Sequence, residues 1–245
     1  MTSLTGKIAF VTGGSRGIGA AIVRRLAANG ATVAFTYVSA HDRALQLAAD
    51  IDAAGGRALP LRADSADAQA LQQAIASVAA QFGRIDILVN SAGILVHKDL
   101  GETTLEDYDR ITAVNVRALF VATQAAAPHM GEGGRIVNIG SMVADRAGSP
   151  GVALYAMSKA AVAGLTRGLA RDLGPRGITV NNVQPGPTET EIVADEGVRA
   201  YLRSQIPVGR MGQDAEIAGL VAYLVGNEAG YVNGASLTID GGYVA

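Results

Sequence analysis

The chain of 245 residues has no cysteine, so no disulfide can staple it and no thiolate can hold a metal. It has no tryptophan, and aromatic residues make up only 4% of it. A core for this length must therefore come from aliphatic side chains, and the hydrophobic fraction reaches 49%. The three histidines, His41, His97 and His129, lie far apart, and none has zinc-ligand spacing. Charge of one sign is also missing: 20 basic residues against 22 acidic ones leave a formal net charge of -2. That balance gives no electrostatic footprint for nucleic acid or an anionic membrane. No window holds the ~18 uninterrupted apolar residues needed to span a bilayer. The opening "MTSLTGKIAFVTGG" lacks the basic segment and long apolar run of a signal peptide. The expectation is a cytoplasmic protein with neither nucleic acid nor a membrane as partner.

What is present is a series of short apolar runs rich in Val and Ile, at 7–12, 31–37, 58–63, 85–91, 135–141, 178–184 and 236–240. Continuous apolarity, rather than alternation, is what strands buried on both faces require. Helical periods lie between the runs. "AAIVRRLAANG" sets Ile22, Val23 and Leu26 on one face, with Gly30 as its stop, and 42–54, 67–82, 104–130 and 214–226 read similarly. Alternating strands and helices imply right-handed crossovers and a parallel sheet covered on both sides. The expected fold class is α/β: a single doubly wound Rossmann-type domain over 1–245, with a seven-stranded parallel sheet flanked by helices. Residues 187–212 read as a long loop, and a loop of that length in a compact domain is usually functional. A substrate lid is expected there.

The first run ends in a turn, "FVTGGSRGIG", that opens the first helix. Without Cβ atoms, Gly13, Gly17 and Gly19 let the backbone turn tightly and approach a pyrophosphate, which helix N-terminal N–H groups bind. Alone, such a turn is weak evidence and its other reading is a structural turn without a ligand, but this one closes the first strand–helix unit. NAD-selective sites usually place an acid at the end of the second strand. Here that strand ends Thr36-Tyr37-Val38-Ser39, while Arg16 beside Ser15 offers a cation and a hydroxyl for a 2′-phosphate. NADP (NADPH) is the expected cofactor.

A second constellation is "YAMSK", which puts Tyr155 and Lys159 on one face of a helix. A phenol is a poor acid or base at neutral pH, and an adjacent ammonium lowers its pKa toward the useful range. By itself this spacing is also common on ordinary surfaces.

The spacing Thr-Gly-x-x-x-Gly-x-Gly, Asn90-Ser91-Ala92-Gly93, Asn115, Ser141, Tyr155-x-x-x-Lys159, Pro185-Gly186 and the terminal Asp240–Gly242 occur in order along the chain. Together they closely resemble the short-chain dehydrogenase/reductase family over essentially the whole length. The resemblance implies that Tyr155 exchanges a proton with a carbonyl or alcohol oxygen and that Ser141 orients that oxygen. Lys159 would hold the ribose and tune Tyr155, and Asn115 would anchor a proton-relaying water. It implies cofactor contacts from the turn (Gly13, Ser15, Arg16, Gly17, Ile18, Gly19), from Tyr37 and Ser39, and from Asp64 with Ser65. Further contacts are implied from Asn90, Ala92 and Gly93, from Tyr155 and Lys159, and from Pro185, Gly186, Thr188 and Thr190. A homotetramer acting on a small carbonyl or alcohol is the family expectation.

Within the family the chain resembles the 3-oxoacyl-[acyl carrier protein] reductase branch. It also resembles a bacterial subgroup of cyclic-dinucleotide-binding biofilm-dispersal mediators, so a nucleotide sensor on the same fold is the alternative. Two departures stand out. Ser91 occupies a position where the family more often has a second Asn. Thirteen residues separate Ser141 from Tyr155, one more than in many relatives.

Overall fold

A computed structural model describes residues 3–190 and 195–245 of the chain. Its strands are β1 (Ile8–Thr12), β2 (Thr32–Tyr37), β3 (Arg57–Arg62), β4 (Ile87–Asn90), β5 (Arg135–Ile139), β6 (Thr179–Pro185) and β7 (Ser236–Ile239). The helices are α1 (Gly17–Ala28), α2 (His41–Ala53), α3 (Ala68–Phe82), α4 (Leu105–Thr112), α5 (Ala118–Ala126), α6 (Ala153–Leu173), α7 (Glu196–Gln205) and α8 (Asp214–Leu224). The seven strands form one sheet in the order β3-β2-β1-β4-β5-β6-β7, every pair parallel.

The aliphatic runs fill both faces of this sheet. Successive side chains of a strand point to opposite faces, and along β1 Ala9 and Val11 enter one core while Phe10 enters the other. The first core packs Val33, Phe35 and Val183 against Ile22, Leu26, Ile51 and Val221. The second packs Leu88, Ile136 and Val180 against Leu71, Ile75 and Val121.

Local signals set the helix ends. The Asp67 carboxylate accepts from the Gln69 and Ala70 N–H groups to start α3, which stops at left-handed Gly83. Thr104 and Asp107 form a reciprocal cap on α4.

Two stretches differ from the sequence expectation. The helix expected over 104–130 is divided: α4 and α5 are joined through a π-helical turn, Ala113–Arg117. A π-helical turn adds a residue without changing the apolar pattern enough to be read beforehand. The stretch 187–212 contains α7, which Asp195 caps by accepting from the Val198 N–H at 2.8 Å. Positions 191–194 of the expected lid lie outside the described residues. Among the described residues, no helix is long and apolar enough to cross a membrane.

Candidate active site

The strand order reverses between β1 and β4, and in open α/β sheets ligands bind in the crevice at the carboxyl ends of such strands. The sequence-identified groups lie at the carboxyl ends of the strands and on the turns and helices that follow them.

The glycine turn between β1 and α1 is held from both sides by threonines. Thr36 Oγ1 accepts from the Gly13 N–H at 3.0 Å and the Thr36 carbonyl accepts from the Gly14 N–H at 2.9 Å. Thr12 Oγ1 accepts from the Ser91 and Ala92 N–H groups, both at 3.0 Å, joining the β1 and β4 turns. A side chain at Gly13 would place its Cβ 2.8 Å from Ala92 Cα, and one at Gly19 would lie 2.2 Å from the Gly13 carbonyl oxygen. Gly13 and Gly17 have φ of 66° and 50°, conformations that suit glycine. The N-terminus of α1 has no side-chain cap and no acid in its first turn, which leaves its N–H groups, those of Ile18 and Gly19 included, for an anion.

At the end of β2 the structure shows no acid. Tyr37 is buried, with its hydroxyl 2.6 Å from Nδ1 of His41, the first residue of α2; Ser39 is exposed, and Asp42 lies in the first turn of α2. Arg16 is exposed beside the half-buried Ser15; its carbonyl accepts from the Ala20 N–H at 3.2 Å, and its guanidinium makes no ion pair or hydrogen bond among the described residues. Beyond β3, exposed Asp64 accepts from the Ala66 N–H at 2.9 Å and Ser65 is buried beside it.

Asn90 faces inward. Its amide donates to Asn138 Oδ1 at 2.9 Å, and Asn138 in turn donates to Thr166 Oγ1 at 2.9 Å, which ties β4 to β5 and α6. Its side chain steadies the strand end, while Ala92 and Gly93 carry the turn. Asn115, in the π-helical turn, accepts from the Ile94 N–H at 2.9 Å and donates to the Ile94 carbonyl and Ser158 Oγ, both at 3.0 Å. A Cβ on Gly93 would lie 3.5 Å from Lys159 Nζ and 3.6 Å from Asn115 Oδ1, so all three meet at one point.

Ser141 follows β5; its Oγ accepts from the Val143 N–H at 3.3 Å, and its hydroxyl stands near the Tyr155 phenol. Lys159, one turn along α6, is buried; Nζ donates to the Ile139 carbonyl at 2.8 Å and lies 5.6 Å from the Tyr155 ring centroid. Burial raises the Tyr155 phenol above its ordinary value, opposed by the Ser141 hydroxyl. This corrects the expectation of a phenol lowered by its neighbouring lysine. Lys159 is itself desolvated, and burial pushes its ammonium down to about 8.

The turn after β6 is packed closely. Gly186 donates to the Ile239 carbonyl at 2.9 Å, and a Cβ there would lie 2.5 Å from that of Asp240. Buried Thr188 donates to the Gly186 carbonyl at 2.9 Å. Thr190 lies over the glycine turn, its methyl 3.7 Å from where a Cβ on Gly17 would be. Sequence reading did not single out Thr12, Ser158, Asn138 or Thr166, nor Thr36 as an anchor. Only the pairing of Thr12 with Asn90 in adjacent strands, visible once the sheet order is known, would have found one of them.

A family model described as enoyl-(acyl carrier protein) reductase matches residues 13–244. The chain is 46% identical over 246 residues to the cyclic-di-GMP-binding biofilm dispersal mediator protein of Escherichia coli K12, covering 100% of both. A short-chain dehydrogenase/reductase from Serratia marcescens superimposes with a TM-score of 0.96 at 58% identity, over 99% of each chain. A short-chain dehydrogenase from Burkholderia cenocepacia, solved in complex with NADP, gives 0.96 at 54% identity, again over 99% of each. Fold and relatives define a Rossmann-type oxidoreductase. The chain belongs to the short-chain dehydrogenase/reductase family.

Proposed function

We propose that the chain is an NADPH-dependent carbonyl reductase, running in reverse as an alcohol dehydrogenase, with Tyr155 as its acid and base. The observation that carries this is the gathering of Ser141 and Tyr155 beside buried Lys159, whose Nζ lies 5.6 Å from the Tyr155 ring, at the carboxyl ends of the strands. The close-packed glycine cradle and the uncapped α1 N-terminus fit a dinucleotide pyrophosphate, and Arg16 with the acid-free β2 end fits a 2′-phosphate. The Burkholderia relative bound to NADP supports the same cofactor.

NADPH, when bound, supplies the hydride. The protein's own groups do the rest. Ser141 holds the substrate oxygen by a hydrogen bond. Tyr155, kept protonated by burial, donates its proton to that oxygen and recovers one from the site. Lys159 is mostly an ammonium at neutral pH and can hold ribose hydroxyls. Asn115, bonded to Ile94 and Ser158, fixes the segment behind Lys159. Ala92, Gly93, Pro185, Gly186, Thr188 and Thr190 would hold the cofactor, with Asp64 and Ser65 toward its adenine.

The substrate class is a ketone, with 3-oxoacyl thioesters one candidate among small ketones and diketones. Oxidation of NADPH and NADH is measured against a β-ketoacyl thioester, a cyclic ketone, an aryl ketone and an α-diketone. Turnover of any member, faster with NADPH, supports the reading; binding of neither cofactor overturns it. A homotetramer is proposed with it, which sedimentation velocity reads directly.

A nucleotide-sensing role is the second reading, favoured by the 46% identity to the biofilm dispersal mediator. Competition between cyclic di-GMP and NADPH for the protein tests it: cyclic di-GMP that neither binds nor displaces NADPH removes it.

A further inference from the structure

The excursion between β6 and α8 is joined at its base by backbone alone. Thr188 and Gly212 form a parallel bridge, the Gly212 N–H donates to the Pro187 carbonyl at 2.9 Å, and the Glu189 N–H donates to the Gly212 carbonyl at 2.9 Å. α7 is held differently. It has no fully buried residue, and Val198 and Tyr201 are 48% and 57% exposed. Burial of an apolar face, which docks most helices, contributes little here.

What reaches α7 is charge. Arg199 and Arg203 stand one turn apart on the same face. The half-buried Glu189 carboxylate lies 3.0 Å from one Arg199 guanidinium nitrogen and 3.9 Å from one of Arg203. Arg199 also donates to the Thr190 carbonyl at 3.3 Å, and Arg203 is aligned by Glu196 at 2.8 Å. Thr190 lies near the glycine turn, its methyl 3.7 Å from where a Cβ on Gly17 would be, so this set of charges connects α7 to the glycine-turn side of the site. Isolated surface ion pairs contribute little, but several sharing one half-buried carboxylate form a network.

We propose that Glu189 is a positioning residue that seats α7 beside the site through Arg199 and Arg203, and so governs how tightly the carbonyl substrate is held. Its kinetic consequence rests on the reductase reading; the seating of the helix does not. Backbone bonds keep the Glu189 turn folded without its carboxylate, so Glu189→Gln leaves the fold intact.

Hydrogen exchange of the α7 amides is compared in the native chain, Glu189→Gln and Glu189→Asp, at 0.1 and 1 M NaCl. The α7 amides are expected to exchange at least about fivefold faster in Glu189→Gln. The native chain should approach that rate at 1 M, where the screening length is about 3 Å, and Glu189→Asp should recover part of the protection. With butane-2,3-dione and NADPH, the KM for the diketone should rise about fivefold in Glu189→Gln, with kcat within about twofold. Unchanged α7 exchange in Glu189→Gln overturns the proposal. Faster exchange with an unmoved KM overturns the link to substrate. If the native chain reduces no carbonyl compound, the reductase reading fails, and the exchange data still decide the seating of α7.

Discussion

Two charged side chains, Lys159 and Arg16, give the proposed reading consequences that can be measured. Lys159 is held at about 8 by burial, against an ordinary value of 10.5. Between those values the unfolded chain keeps the lysine proton that the folded chain releases, so stability rises with pH across that window. The rise is up to about 3 kcal/mol, fully developed above about pH 10.5. Denaturant unfolding of the native chain and Lys159→Met should therefore diverge in the native chain's favour from pH 8 upward; a constant difference contradicts the buried ammonium. Arg16 makes the second case. Because its guanidinium has no protein partner among the described residues, its charge is available to a 2′-phosphate. Arg16→Ala should raise the KM for NADPH at least about tenfold more than that for NADH, and equal effects would remove Arg16 from the phosphate site.

At the scale of elements, the glycine turn depends on β2 as much as on its own residues. Thr36→Val keeps the shape but leaves the Gly13 N–H without its acceptor. It should cost about 1–3 kcal/mol in chemical denaturation and weaken NADPH binding, although Thr36 is not itself a proposed contact; unchanged stability and affinity would show the bond to be dispensable. This dependence marks where the sequence stops being informative. The runs that became strands were legible because both faces of the sheet are aliphatic, and the Tyr155–Lys159 pair was legible because helical spacing is local. Thr36 and Asn138 act across strands whose adjacency depends on topology, and no local pattern marks them; Thr12 stands in the glycine-turn spacing, but its bonds to the β4 turn depend on the same adjacency. The π-helical turn at Asn115 leaves the apolar period nearly intact, and α7 lacks the buried stripe that announces a helix.

Across the whole molecule, the two ends of the sheet do different work. Asp86, just before β4, is buried at the amino end; its carboxylate accepts from the Ile8 N–H at 2.9 Å and pairs with Lys7 and Arg84. The candidate site lies at the other end. Asp86→Ala should lower stability by about 2 kcal/mol while leaving kcat and the KM for NADPH within about twofold. A large kinetic change would mean that the ends are coupled through the sheet. The Ser141–Tyr155 loop is pinned from outside as well: the Lys98 N–H donates to the Gly151 carbonyl at 3.0 Å, and the Arg146 guanidinium to the Tyr243 carbonyl at 3.4 Å.

The most direct test removes one oxygen atom. Tyr155→Phe is compared with the native chain for NADPH binding by fluorescence titration and for turnover of whichever carbonyl compound the native chain reduces fastest. The account predicts NADPH affinity within a few-fold of native and turnover lower by at least about a thousandfold, the scale of a lost general acid. Turnover within about tenfold of native, with the fold intact, would contradict the role of Tyr155 and with it the reductase reading of this site.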